Sequence, residues 1–144
     1  MQTLHTQTEK EGNPMIKNSN VDPTSVLTIL ALDRDSFVTS IRRMSNTAHL
    51  LATLKGWWEE ERNNGEIIAL IHSEVSELLE AYRGDHSKPS EHIPDFTAIE
   101  EEQADIIIRV LDMSAARQTR LGEAIVAKLI YNQTRPHKHG GKNF

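Results

Sequence analysis

The run Ile67-Ile68-Ala69-Leu70-Ile71-His72-Ser73-Glu74-Val75-Ser76-Glu77-Leu78-Leu79 decides the fold of this chain. Ile67, Ile71, Val75, Leu78 and Tyr82 recur at three- and four-residue steps, the period of one apolar face on an α-helix. Glu74 breaks that face. At 100° per residue it falls about 60° from the centre of the stripe, among Leu70, Ile71, Leu78 and Ala81. Glu77 follows one turn later, at the edge of the same face. Two like charges at this spacing destabilise a helix by roughly 0.2–0.5 kcal/mol, and by more when desolvated. A core stripe that breaks its own pattern usually does so at a site.

A second stretch, Glu101-Glu102-Gln103-Ala104-Asp105, does the same. Ile99, Ile106, Val110 and Met113 mark its apolar face, widened by Ile107 and Leu111. Glu102 and Asp105 lie along the flank, and Arg109 and Asp112 continue the polar strip. The spacing makes Arg109 and Asp112 an ion pair along the helix. Two antiparallel helices would bring Glu74, Glu77, Glu102 and Asp105 together. Such a cluster needs a positive charge within it, and its hard oxygen donors suit Mg²⁺ or Mn²⁺. Either acidic pair alone reads as a solvated helix face; the two pairs on apolar flanks read as a site.

The rest of the chain is read around these helices. Residues 1–35 form an arm, polar as far as Asn20. Asp22-Pro23 is a helix-start signal, so Thr24 to Leu32 is a short helix or, given its β-branched residues, a strand. Ser36 is positioned to cap the next helix, with Phe37, Ile41, Met44, Ala48 and Leu51 as its buried stripe. Gly56-Trp57-Trp58 interrupts the pattern after Lys55, and adjacent tryptophans cannot both face one core. Asn63-Asn64-Gly65 is a turn signal ahead of Glu66. Arg83-Gly84 ends the first carboxylate helix, and the segment from Asp85 to Asp95, with Pro89 and Pro94, is a loop. Thr97-Ala98-Ile99-Glu100 is a capping box for the second, which runs to about Arg117. A last helix spans Leu121 to Thr134 and stops at Pro136, leaving a basic tail over residues 137–144. The expected architecture is all-α, a bundle of four to five helices over residues 36–136.

Composition narrows the function. With 144 residues the chain suffices for one domain with a core. A net charge of -5 argues against general binding to nucleic acid or to a membrane surface. Without cysteine there is no disulfide, thiolate metal site or cysteine nucleophile. No apolar run is long enough to span a membrane. Met1-Gln2-Thr3-Leu4-His5 has neither the basic start nor the apolar core of a signal peptide, so the expected location is cytoplasmic. His137 and His139 are spaced as a zinc pair, but no other ligand lies near them in sequence.

The last helix carries its own anomaly. Leu121 and Ile125 define an inner stripe that Lys128, Asn132 and Arg135 then continue. Cations and an amide there can meet the carboxylates or a bound anion.

Glu74-x-x-Glu77 followed, after residues 78–101, by Glu102-x-x-Asp105 resembles the signature of the MazG-like all-α nucleoside triphosphate pyrophosphohydrolases. Lys128 and Asn132 match that group's downstream phosphate-side residues. Lys55-Gly56-Trp57-Trp58 and Arg135-Pro136-His137-Lys138-His139-Gly140 look like one branch of it. The similarity covers Phe37 to the C-terminus, and the arm lies outside it. The resemblance implies a helical fold completed as a homodimer or homotetramer. It also implies Mg²⁺-dependent cleavage of a nucleoside triphosphate to the monophosphate and pyrophosphate. Glu74, Glu77, Glu102 and Asp105 would then be metal ligands, with Glu74 or Glu77 instead a base on the attacking water. Lys128, Asn132 and Arg135 would hold phosphate, and Trp57 or Trp58 would stack on the base. Two other readings compete. One is a non-enzymatic helical interaction protein with an acidic face. The other, a di-iron bundle, calls for Glu-x-x-His, which the sequence lacks.

Overall fold

In the computed structural model, the described residues are 28, 31, 33–85 and 87–136. They contain four helices: α1 (Arg34–Leu54), α2 (Asn64–Arg83), α3 (Ala98–Ala116) and α4 (Leu121–Gln133). The described residues hold no strand, only an isolated bridge between Pro89 and Thr97. The fold is all-α. The short helix or strand expected over Thr24 to Leu32 lies outside the described residues save Thr28 and Ala31; so does the tail with His137 and His139.

Local chemistry explains most of the boundaries. Thr97 and Glu100 form the reciprocal capping box: Glu100 N–H donates to Thr97 Oγ1 at 3.2 Å, and Thr97 N–H to Glu100 Oε2 at 2.7 Å. α2 starts two residues earlier than expected because Asn63 caps it, accepting from Glu66 N–H at 2.9 Å. What reads as a turn in sequence is that cap. α1 also starts early, at Arg34, and Asp33 rather than Ser36 precedes it, without a side-chain cap. After α1, Gly56 takes φ +85°, a conformation that disfavours a Cβ. Trp57 N–H then returns to Ala52 O at 3.0 Å, closing the helix end.

α3 is the central element, packed against α1 and α2. It runs antiparallel to α2, since Glu74 pairs with Arg109 and Asn64 with Arg117, and it meets α1 where His49 contacts Asp112. α4 rests on α1. The core is thin. Among the described residues the buried apolar side chains are Ile67, Leu111 and Val126. Met44 and Leu51 of the expected α1 stripe are exposed, as are Val75 and Tyr82 of the α2 stripe. These faces keep helical spacing yet are left uncovered among the described residues. Among the described residues, no helix is long and apolar enough to cross a membrane.

Candidate metal and ligand site

The antiparallel α2–α3 pair brings three of the four expected carboxylates together. Ligand oxygens of Glu74, Glu102 and Asp105 lie within 4.8 Å of one another. Glu74 is 5% exposed, so the helix-face argument placed it correctly at the edge of the core. Glu77 is exposed and outside this group of three. It lies on the Glu102 side, where its charge still acts on that carboxylate.

Electrostatics sets these groups apart. Burial, then the charges of Glu77, Asp105 and Glu74, raise the pKa of Glu102. Burial, then Glu74 and Glu101, raise that of Asp105 against the pull of Arg109. Both shifts express the difficulty of ionising in a partly dry acidic cluster. Glu102 Oε2 is buried and has no hydrogen-bond partner, an unusual state for a carboxylate oxygen. Three carboxylates at this spacing, one oxygen of them unsatisfied, are a donor set that could hold a metal ion.

Arg109 partly balances the cluster. Its Nε donates to Glu74 Oε1. The expected Arg109–Asp112 pair is absent, because α3 faces α2 at Arg109 and α1 at Asp112. Asp112 instead accepts from His49 Nδ1 at 2.8 Å and from Trp58 Nε1 at 3.0 and 3.2 Å. The His49 and Trp58 rings meet edge-on at 5.0 Å.

A cavity of about 290 Å³ adjoins the cluster, lined by Glu74, Asp105, Arg109, Asp112, Lys55, Trp57, Arg62, Ala48, Leu51, Ala52 and Ile108. Carboxylates, three cations and one indole thus share one wall. The tryptophans differ in role. Trp57 is exposed on this cavity; Trp58 is half-buried and hydrogen-bonded to Asp112. Arg62 stands 5.5 Å from the Trp57 ring and 5.6 Å from the Trp58 ring, tied to Glu66 at 2.9 Å. In sequence Arg62 closes the charge run Glu59-Glu60-Glu61 and looks solvated; only the two preceding tryptophans hint at its burial.

Lys128, Asn132 and Arg135 do not line this cavity. All three are exposed, and Lys128 stands over the Tyr131 ring at 4.6 Å. The buried side of α4 is Gly122 and Val126, so the stripe read from Leu121 and Ile125 does not carry Lys128 inward.

Behind the cluster, a loop fixes the start of α3. Ser90 Oγ donates to Glu101 Oε2 at 2.6 Å and accepts from the His92 and Ile93 amides. His92 Nδ1 contacts Glu101 Oε1 at 2.7 Å. The hydrogen bonds from Ser90 and then His92 lower the pKa of Glu101; the bond to Glu101 raises that of His92. Glu101 is therefore occupied, unlike its neighbour Glu102.

No protein family, characterised protein or solved structure gives a significant match to this chain.

Proposed function

We propose that the chain is a cytoplasmic, Mg²⁺-dependent pyrophosphohydrolase of MazG-like type, cleaving a nucleoside triphosphate to its monophosphate and pyrophosphate. The observation that carries this reading is the buried, unpartnered Glu102 Oε2 beside Glu74 and Asp105, next to a cavity that also offers cations and an open indole. Glu74, Glu102 and Asp105 would hold the cation, with Glu77 at its solvent side. When bound, Mg²⁺ polarises the phosphoryl group and lowers the pKa of an attacking water. Lys55, Arg62 and Arg109 line the cavity for phosphate oxygens, and Trp57 offers a face to the base. Glu74 or Glu77 would take the proton of the attacking water. Arg109 holds Glu74 and lines the same cavity, where it would also meet phosphate oxygens. Lys128, Asn132 and Arg135 would then serve substrate only from another chain of an oligomer.

The decisive experiment is a panel of nucleoside triphosphates with Mg²⁺, assayed for pyrophosphate and orthophosphate. Pyrophosphate from at least one substrate supports the reading; orthophosphate alone replaces it with a phosphatase.

Self-association belongs to the same proposal. The uncovered apolar residues on α1 and α2 fit a dimer or tetramer interface. Light scattering at micromolar concentration should give at least twice the mass of one chain, 16.3 kDa. A monomer would remove this part.

A second reading rests on one observation. Arg109 already neutralises Glu74. A cluster balanced by its own arginine suits an interaction protein with an acidic, partly apolar face. In that case Mg²⁺ would not raise the melting temperature.

A further inference from the structure

A second cavity, of about 250 Å³, shares no residue with the carboxylate cavity and opens at the start of α4. Its geometry begins with Gly122. A Cβ there would stand 3.1 Å from Val38 Cα, a tight contact that glycine avoids where the first turn of α4 lies against α1. Arg120 precedes the helix and gives no side-chain cap. The amides of Leu121, Gly122 and Glu123 have no acceptor within the helix; Ala124 N–H is the first bonded one, to Arg120 O at 3.0 Å. The positive end of the helix dipole is thus left open on the cavity wall.

An independent feature lies on the same wall. Ser45 of α1 is 4% exposed, and its Oγ is buried without a partner. Its helix neighbours behave otherwise: Thr47 and Thr53 donate back to Arg43 O at 3.0 Å and His49 O at 2.8 Å. Ser114, across the cavity, is satisfied by Thr119 at 2.9 Å. Arg42 and Arg120 add two guanidinium groups. Among the described residues, Glu123 is the single acidic one lining the cavity, and Arg42 pairs with it at 3.4 Å.

Amides, a leftover hydroxyl and guanidinium groups are all donors, and what answers them is an acceptor-rich anion. We infer that this cavity binds a small oxyanion, inorganic phosphate or the phosphate of a small monoester, between the α4 amides, Ser45 and Arg120. The volume holds a tetrahedral ion with several waters, each taking about 30 Å³. The site does not depend on the hydrolase reading.

The test is a phosphate titration of the 144-residue chain in EDTA at constant ionic strength, followed through the amide resonances of Leu121 and Gly122. Both should shift and saturate at millimolar phosphate. Ser45→Ala should weaken binding about tenfold, as for a hydrogen bond to a charged group. Its melting temperature without phosphate should match or exceed wild type, because an unsatisfied hydroxyl is gone. Arg120→Gln, at an exposed position, should also weaken binding; Glu123→Gln should strengthen it. Glycerol phosphate in place of phosphate tells a monoester site from one for the free ion, and saturation by either sustains the inference. Shifts that never saturate, or identical curves for wild type, Ser45→Ala and Arg120→Gln, would overturn it.

Discussion

About two turns of α3 separate Asp105 from Asp112, and the two ends of that interval differ in kind. Asp112 is saturated, receiving His49 and two contacts from Trp58. Glu102 and Asp105 have raised pKa values, and Glu102 Oε2 has no donor. Both settings are acidic groups on a partly apolar helix, so residue type and spacing alone do not separate them. What separates them is the neighbouring helix. α1 supplies a histidine, and the turn after it supplies an indole. α2 supplies two more carboxylates. An acid met by donors is a structural joint; acids met mainly by acids, with Arg109 as partial balance, form the cation site proposed above.

Substitutions can break or sharpen that contrast. The largest effect belongs to the joint. Asp112→Ala leaves the His49 and Trp58 ring N–H groups without their acceptor and should lose about 2–3 kcal/mol in urea denaturation. Its response to Mg²⁺ should remain, and a lost response would erase the distinction. Next comes Arg109→Gln, which strands the buried Glu74 charge. In EDTA it should lose about 2 kcal/mol, below the range for fully buried pairs because Arg109 is partly exposed. Mg²⁺ should then raise its melting temperature more than it does wild type.

The tryptophans come third. Trp57→Ala should weaken nucleotide binding about tenfold, since stacking contributes roughly 1–3 kcal/mol per base. Trp58→Phe should leave affinity alone and lower stability by about 1 kcal/mol through the bond to Asp112. Equal effects in both assays would make the pair plain packing.

The smallest effect is in pH. The raised pKa values of Glu102 and Asp105 mean that the folded state binds protons more tightly than the unfolded chain. Their destabilising contribution therefore grows as pH rises above the ordinary carboxylate value of about 4. In EDTA the melting temperature of wild type should fall along this window relative to that of Glu102→Gln. Parallel curves would show that Glu102 is not strained.

The all-α fold was legible because Ile67, Ile71 and Leu78 keep helical period and Thr97-x-x-Glu100 announces its own cap. Glu74 was legible for the same reason: its angle on the helix forecasts its burial. Arg109 was not, because a three-residue step to Asp112 suggests a local pair, while Glu74 of α2 takes Arg109 and His49 of α1 takes Asp112. Lys128 misled similarly. Its register with Leu121 and Ile125 is real, yet the helix buries Gly122 and Val126 instead. Periodicity fixes a stripe on one helix, but the facing helix decides which side is covered.

The most direct measurement is Mn²⁺ binding to EDTA-stripped protein, read as loss of the free-ion resonance signal. Wild type should bind Mn²⁺ at a saturable site that Mg²⁺ competes for. Asp112→Asn should bind alike, while Glu102→Gln should lose the site and keep its helical circular dichroism. Absence of saturable binding, or equal binding by wild type and Glu102→Gln, would contradict a cation site at Glu74, Glu102 and Asp105.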